Sequence, residues 1–547
     1  MPDEPESARN APLHAVQRVC DKNDPIMDQH DKEAFRVNTT LPRQLRRCKE
    51  RIAYRLRPIR WKEQARPMLS ARNLHYEMAD RASAFAHGGI GAMHDLARKV
   101  GLIRALDENL HLLKRHLPYY ESDHVLNMAY NLLCEGECLE DIEEHRNDEV
   151  YLDALGAQRI PDPTTEGDFC RRFEVQDVET LMDIINDVRV RVWRQQPDAF
   201  FDLATIDADG TIADTWGQCK AGMDLSYKGI WGYHPLLLSL AQTGEPLVLV
   251  NRPGNSISSE GAAERFDQGI ELCRSAGFRR ILLRGDTDFS QTRHLDRWDG
   301  QAVDFVFGMD ARANLKALAE GIPEAHWTPY VRPAKYEVHT PPRRRPENVK
   351  ERIVVEREFK NIRLESEQVA EFAYRPIACR QDYRVVVLRK NLSIERGEQV
   401  LFDEIRYFFY ITNISDASAV EVVELAHGRC NQENLIEQLK DGVQAMRMPV
   451  DNLVSNWAYM VMASLAWTLK GWFALLLPQT GRWAEKHRQE KQTVLQMEFK
   501  RFRRMFIGLV CQVVRTGRRM VYRLLSWNPW LEVFLRAFRA IQRPLRC

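Results

Sequence analysis

The amino-acid sequence predicts an α/β protein: a mixed sheet with helices packed on it, preceded by a helical N-terminal domain, interrupted by a β-rich insertion and followed by a helical, basic C-terminal region. Three patterns support this fold class. Apolar residues recur every three or four positions between residues 68 and 199, which indicates amphipathic helices. Short apolar runs bounded by turn residues begin after Phe200 and indicate strands. A Pro- and Arg-rich segment, residues 340–346, then marks an insertion.

The composition is that of a globular protein with three or four folding units. The chain has 547 residues, of which 44% are hydrophobic and 28% are charged. These values exclude a wholly disordered chain and a fibrous one. Residues 1–67 lack sustained periodicity, so we predict a basic, disordered leader there.

The helical N-terminal domain is predicted over residues 68–199. Turn-forming residues at Arg159–Pro163 separate its last helices. The clearest helical spacing occurs in Ile90–Val100, Ile103–Leu113, Asp123–Leu133 and Val178–Val192.

The first part of the sheet is predicted over residues 200–309, in the order β-β-β-α-β-α-β. A strand at one end of this segment, a hairpin, and two further strands alternating with helices give a mixed sheet. The predicted elements are a strand at Leu203–Ala208, a hairpin of Tyr233–Ala241 and Pro246–Asn251, a helix at Glu260–Ser275, a strand at Arg280–Arg284, a helix near Ser290–Trp298 and a strand at Asp304–Gly308.

Residues 310–395 are predicted to form an inserted, sheet-rich subdomain. The chain returns to the core over residues 396–478, with a strand at Tyr407–Thr412 followed by helices. The apolar run Leu453–Leu469 contains polar residues and is closed by Lys470, so we predict a helix buried in protein and no membrane span. The strand-like pieces of the insertion are Ile353–Phe359, Val369–Tyr374 and Tyr383–Leu388.

Positive charge is concentrated in two places although the formal net charge is only +1. From Gly481 to the end, 16 Lys and Arg residues stand against 4 Asp and Glu, and residues 41–66 hold ten basic side chains against two acidic ones. Such asymmetry indicates a polyanionic partner, either nucleic acid or an anionic membrane surface. A solvated helix face is the alternative for each block taken alone.

The cysteines indicate a reducing compartment. There are eleven of them, without the spacing of a disulfide framework or a zinc site. The N-terminal ten residues are polar and acidic, unlike a signal peptide. We therefore expect a cytoplasmic location.

Carboxylates follow two of the predicted strands. Asp207 and Asp209 end the first strand of the sheet, and two residues apart they share one face of it. Asp286 and Asp288 follow the buried strand Arg280–Arg284. Ligands bind at the carboxyl ends of strands in such sheets, which favours a shared site. Taken singly, each Asp could instead cap a helix or form a turn.

A later helix carries a charged stripe beside its apolar face. Arg429, Glu433 and Lys440 lie within about 40° of one another at about 100° per residue, with Glu437 beside them. Spaced ion pairs on an exposed face would give the same intervals.

In its order of elements, residues 69–477 resemble the DDE transposases of bacterial insertion sequences, which have a ribonuclease H-like catalytic domain and a β-rich insert before the final glutamate. The Arg-x3-Glu-x6-Lys spacing and the run of residues 433–440 carry the resemblance. It implies that Asp209, Asp286 and Glu433 form the catalytic triad. Asp207 competes for the first position, and Asp288 is a possible auxiliary acid.

The sequence departs from that family at two points. The family usually has Tyr three positions before the Arg, where this chain has Ala426 followed by His427. After the second Asp it more often has x-Gly-Phe, whereas Thr287, Asp288 and Phe289 stand here. A stacking or hydrogen-bonding role at Ala426 is therefore not expected.

The resemblance implies metal-dependent phosphoryl transfer on DNA. Three carboxylates offer hard oxygen ligands that suit two Mg²⁺ or Mn²⁺ ions, which need no covalent protein nucleophile. The implied reaction is cut-and-paste transposition: cleavage at the ends of a mobile element and strand transfer into target DNA, by a homodimer on the DNA. A nuclease without strand transfer and an inactive DNA-binding relative are the alternatives. No membrane partner is expected.

Several basic residues are candidates for contacts to the DNA backbone. The resemblance makes Arg429 and Lys440 basic companions of the triad. Arginines interleaved with aromatic residues in the C-terminal region suit sequence-independent phosphate contacts, and we assign recognition of terminal repeats to the leader and the helical N-terminal domain. Trp327 could stack on a base, or pack in the core. The C-terminal candidates are Arg501, Arg503, Arg504, Arg518 and Arg519.

Overall fold

The computed structural model describes residues 41–57, 84–217, 219–332, 349–396, 399–516, 519–525 and 527–545. The chain divides into two compact units, residues 1–77 and 78–547.

The described part of the first unit contains one helix, α1 (Leu41–Arg55). The prediction of a disordered leader is wrong for this stretch, and residues 1–40 and 58–67 of the leader lie outside the described residues. The helix forms because Leu45, Cys48 and Ile52 fall on one face, among Arg, Lys, Gln and Glu residues of high helix propensity.

Helices dominate residues 86–201 of the second unit. Asp162 caps one of them: its side chain accepts a hydrogen bond from the Thr165 amide, and Pro163 occupies the first helical position. This cap accounts for the turn signal in the sequence at residues 159–163. After a short strand, β1 (Ala84–Phe85), the helices are α2 (Ile90–Lys99), α3 (Leu102–Asn109), α4 (Glu121–Leu133), α5 (Ile142–Arg146), α6 (Glu149–Leu155), α7 (Pro163–Cys170) and α8 (Val175–Trp193).

The centre of the second unit is an α/β region. Its helices are α9 (Ala262–Ala276), α10 (Leu295–Gly300), α11 (Ala313–Glu320) and α12 (Val349–Glu356). Its strands are β2 (Leu203–Gly210), β3 (Ala213–Asp214), β4 (Asp224–Leu225), β5 (Trp231–Tyr233), β6 (Leu236–Leu240), β7 (Glu245–Val250), β8 (Arg280–Gly285), β9 (Asp304–Met309), β10 (Thr328–Pro329), β11 (Lys360–Tyr374), β12 (Tyr383–Arg396) and β13 (Gln399–Thr412).

Nine of these strands form one mixed sheet in the order β10-β11-β12-β13-β9-β8-β2-β6-β7. Strand β8 is parallel to both β2 and β9, and the other neighbours are antiparallel. Both faces of the central strands are buried, which is why they appear in the sequence as continuous apolar runs. The predicted fold class, a mixed α/β protein with a large mixed sheet and many helices, is confirmed.

The predicted insertion does not form a sheet of its own. Residues Phe409–Thr412 of β13 pair with Val306–Met309 of β9, and β12, β11 and β10 continue outward from β13. Because β13 is one unbroken strand of 14 residues, it joins the inserted strands to the central sheet. The strands of the predicted insertion are therefore continuous with the central sheet.

One inserted segment was also assigned to the wrong type of element. The sequence predicts a strand at Ile353–Phe359 from its β-branched residues, but residues 349–356 form α12. Arg352 and Glu356 are one helical turn apart and form an ion pair at 3.4 Å, an i, i+4 pair of the kind that stabilises helices. Local charge pairing and helix-forming neighbours outweigh the β preference of Ile and Val here.

The described residues after β13 are mainly helical, but they include a hairpin where the sequence predicts only helices. Strand β14 pairs with both β15 and β1. Val513 and Val514 and, after the glycine at position 517, Val521 and Tyr522 supply β-forming residues on both arms. The elements are α13 (Ala419–His427), α14 (Cys430–Glu437), α15 (Leu453–Leu475), α16 (Ala484–Gln496), α17 (Phe499–Phe502), β14 (Cys511–Thr516), β15 (Arg519–Leu524) and α18 (Leu531–Ile541).

Helix α15 is buried along nearly its whole length and packs against α4, α8 and α16. The Nζ atom of Lys470 is buried with it and donates to the carbonyl oxygen of Leu495 at 2.8 Å. The apolar run therefore belongs to the protein interior, as predicted. None of the helices in the described part of the chain has the length and hydropathy needed to cross a membrane.

A second buried lysine ties α16 to its neighbours. The Nζ atom of Lys491 donates to Gln196 Oε1 at 2.6 Å and to the carbonyl oxygen of Leu475 at 2.8 Å. Burial lowers the pKa of this ammonium from 10.5 to about 8. Between these values the unfolded chain binds more protons than the folded one, so this group makes the free energy of unfolding rise with pH.

Replacing Lys491 by methionine should remove that pH dependence. The difference in unfolding free energy, wild type minus variant, is expected to grow by about 3 kcal/mol from pH 8 to pH 10.5, at about 1.4 kcal/mol per pKa unit. Urea denaturation at pH 7.5, 9 and 10.5 measures it. The matched control is Lys486→Met on the exposed face of the same helix, and a difference that stays constant for the Lys491 variant would contradict the assignment.

Candidate active site

The sheet brings the predicted acidic residues to one edge. Strands β2 and β8 are parallel neighbours, so their carboxyl ends lie side by side. Asp207 and Asp209 are in β2, and Asp286 follows β8 directly. Residues from separate parts of the chain therefore meet at a strand-end position where α/β proteins bind ligands.

The two β2 acids have different environments. Asp207 is 1% exposed, and both of its carboxylate oxygens accept hydrogen bonds from Arg284 of β8, at 2.7 and 2.8 Å. Arg284 also donates to the carbonyl oxygen of Leu425 at the end of α13. Burial raises the pKa of Asp207, and Arg284 opposes that shift. Asp207 thus belongs to a buried ion pair that joins β2, β8 and α13.

Asp209 is partly open and faces α14. Its Oδ2 accepts a hydrogen bond from Arg429 Nη1 at 3.0 Å. The pKa of Asp209 is raised to about 6, mainly because burial disfavours the charged form; Arg429 lowers it, and the negative charges of Asp286 and Glu433 contribute to the rise. Asp286 and Glu433 therefore both lie near enough to Asp209 to act on its carboxylate electrostatically.

Gln432 fixes α14 above the sheet. Its Oε1 accepts a hydrogen bond from the buried Ser239 hydroxyl, and its Nε2 donates to the carbonyl oxygen of Leu237 at 3.3 Å. Ser239 and Leu237 belong to β6, the neighbour of β2. The next residue, Glu433, is exposed in the first turn of the helix. The helix is thus held at the strand edge by a residue that the sequence analysis did not single out.

The two basic residues of the charged stripe face β2 and the residues directly after it. Arg429 pairs with Asp209, and Lys440, in the π-helical turn Gln438–Gly442, donates from Nζ to the carbonyl oxygen of Ile212 at 2.7 Å. Burial lowers the pKa of Lys440. The acidic residues of the stripe, Glu433 and Glu437, are exposed.

Asp286 lies in a tight turn. Its Oδ1 accepts a hydrogen bond from the Asp288 amide at 3.0 Å and caps the short 3₁₀ turn Thr287–Phe289. Burial raises the pKa of Asp286, and Arg429 opposes the shift. Gly308 of β9 leaves room for this turn, since a Cβ there would stand 2.9 Å from the Thr287 nitrogen. Only the structure reveals that requirement.

A cavity of about 1140 Å³ opens beside these acids. Asp209, Asp286, Asp288 and Lys440 line one part of it. The rest is lined by the segment between β2 and β6, including Trp216, Tyr227 and Trp231, which the sequence analysis did not single out. Their signal in the sequence is three large aromatic residues in a short segment directly after the first carboxylates.

The donor set fits a divalent cation in chemistry and charge. Carboxylate oxygens are the preferred ligands of Mg²⁺ and Mn²⁺. Burial and, after it, the charges of Asp286 and Glu433 raise the pKa of Asp209, and a cation relieves repulsion of this kind. Over the described ranges, no group of three or more His, Cys, Asp or Glu side chains is arranged closely enough to hold a metal ion. Arg429 supplies the positive charge next to Asp209 instead.

The arginines predicted as C-terminal DNA contacts differ in their exposure to solvent. Arg501 and Arg504 are exposed. Arg503 is buried and donates to the carbonyl oxygen of Leu132 at 3.0 Å, so the prediction of a DNA contact is wrong for this residue. It lies on the inner side of the π-helical turn Arg503–Ile507. Arg518 and the side chain of Arg519 lie outside what the structure describes.

Trp327, which the sequence suggests either for base stacking or for core packing, packs in the core. It is buried, and the guanidinium of Arg389 stands over its ring at 4.0 Å. A buried ring that is covered by a guanidinium is not open to a base. This favours a packing role for Trp327 over base stacking.

Comparison with known proteins gives one family. The family described as "Transposase DDE domain group 1" matches residues 78–545. No curated protein matches the chain. Among solved structures, the chain is similar to a piggyBac transposase synaptic complex with hairpin DNA, determined by cryo-EM, with 11% identity and a TM-score of 0.30 over 77% of this chain and 82% of that one.

Proposed function

Because the chain belongs to the transposase family with a DDE domain of group 1, we propose that it cuts DNA at the ends of a mobile element and joins the freed ends to target DNA. We assign Asp209, Asp286 and Glu433 as its catalytic acids. One observation carries this assignment: the charges of Asp286 and Glu433 both raise the pKa of Asp209 at the wall of one cavity.

Strand order supports a ribonuclease H-like core. The five strands β7-β6-β2-β8-β9 place the Asp-bearing β2 at the centre, antiparallel to β6 and parallel to β8. We infer that β13 to β10 are the family's inserted strands, added to one edge of that core. These strands are added beside β9, the last strand of the core, so they leave the carboxyl ends of β2 and β8 free for the acids.

Of the two acids in β2, Asp209 suits the catalytic position. Both carboxylate oxygens of Asp207 accept hydrogen bonds from Arg284 in a buried pair, whereas Asp209 lines the cavity. A metal ligand needs an accessible oxygen, and removing Asp207 from its pair would leave the Arg284 charge buried. We therefore give Asp207 a structural role.

We propose that Asp209, Asp286 and Glu433 hold two Mg²⁺ or Mn²⁺ ions. Such ions, when bound, activate the attacking oxygen and stabilise the leaving oxygen of an in-line displacement at phosphorus. The chain's own part is to keep the acids ionised and placed. Arg429 favours the charged form of Asp209, and Lys440 fixes the backbone at Ile212.

Basic residues outside the cavity suit contacts to the DNA backbone. Arg501 and Arg504 are exposed, and α1 carries arginines on its exposed face. Such contacts position DNA without reading its sequence. We assign recognition of the element ends to the helical region of residues 84–201, and we propose that a homodimer holds two ends together.

Incubation of the protein with supercoiled plasmid carrying candidate element ends tests the function. We expect nicks at the ends in Mg²⁺ or Mn²⁺ but not in EDTA, followed by joined products when a free 3′-hydroxyl end is supplied. Metal-dependent nicking without joined products would indicate a nuclease. No metal-dependent cleavage at all would contradict the proposal and favour a DNA-binding relative without activity.

A further inference from the structure

The segment between β2 and β6 displays three aromatic side chains to solvent. Trp216 is 93% exposed, Tyr227 76% and Trp231 55%. We call these three residues the aromatic lobe. Large aromatic side chains are normally mostly buried, so three exposed ones along one cavity mark a binding surface.

The lobe stands on an ordered framework. Strands β3, β5 and β4 form a separate three-stranded sheet. The turn between β4 and β5 is closed by hydrogen bonds from the Ser226 amide to the Ile230 carbonyl oxygen at 2.9 Å and from the Gly229 amide to the Ser226 carbonyl oxygen at 2.8 Å. Gly232 allows β5 to approach β3, since a Cβ there would stand 2.1 Å from the Ala213 oxygen. The rings are therefore presented by a small sheet, which limits the entropy lost when a ligand binds.

Charged groups of both signs line the cavity. The carboxylates of Asp209, Asp286 and Asp288 line it together with Lys440. Within the lobe segment, the exposed Lys228 has its Nζ atom 5.4 Å from the Tyr227 ring centroid. A ligand in this cavity thus meets the acids and also flat aromatic faces with a cation beside them.

We propose that the aromatic lobe binds unpaired nucleotides of a DNA strand next to the point of cleavage, by stacking bases on Trp216 and Trp231 while Lys228 contacts phosphate. Unpaired nucleotides combine flat apolar faces with a negative backbone, and proteins bind them through aromatic stacking and basic side chains. The lobe lines the same cavity as Asp209 and Asp286, which places the bound nucleotides beside the reacting phosphate. This inference rests on the proposed function and adds an unpaired strand to its substrate.

Binding of single-stranded DNA tests the proposal in the full-length protein. The probes are a fluorescent oligodeoxythymidine of twelve nucleotides and a blunt duplex of equal length, in EDTA so that no cleavage occurs. The double variant Trp216→Ala/Trp231→Ala should bind the single strand roughly ten- to a hundredfold more weakly, as loss of base stacking requires, with duplex affinity changed less than about twofold. The matched control is Trp483→Ala, since Trp483 is 60% exposed and lies outside the cavity lining.

A second measurement keeps the test independent of folding. Trp216→Phe should retain most of the single-strand affinity because a phenyl ring still stacks. Photocrosslinking with an oligonucleotide containing 5-iodouracil should join the base to Trp216, Tyr227 or Trp231, as read by mass spectrometry. Unchanged single-strand affinity in the double variant would overturn the proposal, and so would crosslinks found only at residues outside the lobe. Binding of a protein or a lipid by the lobe in place of single-stranded DNA would also overturn it.

The two proposals fail in different ways. If the wild type cleaves and joins DNA but the double variant binds single strands normally, only the lobe assignment is wrong. If the wild type binds single strands through the lobe but never cleaves DNA in Mg²⁺ or Mn²⁺, the lobe assignment stands as a binding site and the enzymatic function is wrong.

Discussion

Replacing Glu433 by glutamine is expected to lower metal-dependent DNA cleavage by about a thousandfold or more. Glutamine keeps the shape of the side chain but removes the charge that a divalent cation requires, and a loss of several kcal/mol of transition-state stabilisation corresponds to such a factor. Glu433 is exposed in the first turn of α14. The fold should therefore be unaffected, and plasmid nicking rates in Mg²⁺ measure the effect.

The same helix supplies a matched control for this test. Glu437 is also exposed, one turn further on in the helix. Glu437→Gln should cleave DNA within a few-fold of the wild-type rate. Both variants should keep the wild-type melting temperature. If Glu433→Gln cleaves as fast as Glu437→Gln, Glu433 is not one of the catalytic acids.

Replacing Arg284 by alanine is expected to lower the free energy of unfolding strongly. Asp207 is 1% exposed and depends on Arg284 for hydrogen bonds to both carboxylate oxygens. Removing one partner of a buried pair leaves the other buried without compensation, at a cost of about 3 to 5 kcal/mol. Urea denaturation at pH 7.5 measures the free energy of unfolding.

An exposed arginine directly before β8 provides the comparison. Arg279 pairs with Asp198 and Asp202, but all three side chains are at least half exposed. Arg279→Ala should cost at most about 1 kcal/mol. The double change Asp207→Leu/Arg284→Met, which removes both charges, should recover much of the loss. A single Arg284→Ala variant as stable as Arg279→Ala would show that the buried pair does not hold β2 against β8.

The sequence allowed the acids to be placed because strand ends can be predicted from short apolar runs. Leu203–Ala208 and Arg280–Arg284 are close to the observed β2 and β8, and parallel pairing of these strands brings Asp209 and Asp286 to one edge. Helical periodicity likewise indicated that Arg429 and Glu433 share a face. The local sequence pattern was sufficient to predict an element wherever its apolar residues are the ones that the strand or helix buries.

The errors arose where tertiary contacts decide the structure. Arg503 appears in a basic run, yet its guanidinium is turned inward to the carbonyl oxygen of Leu132, about 370 positions earlier in the chain. The partner of Asp207 is Arg284 on another strand, so spacing alone could not separate Asp207 from Asp209. The C-terminal hairpin pairs with β1, more than 400 positions away, which no local pattern could indicate.

A crystal structure with Mn²⁺ and a DNA end tests the central claim most directly, because anomalous scattering locates the ions without reference to the protein. We predict Mn²⁺ at the carboxylates of Asp209 and Asp286 with Glu433 turned toward them, and Arg429 displaced from Asp209. Density for Mn²⁺ only at other residues, with Arg429 still paired to Asp209, would contradict the proposed active site.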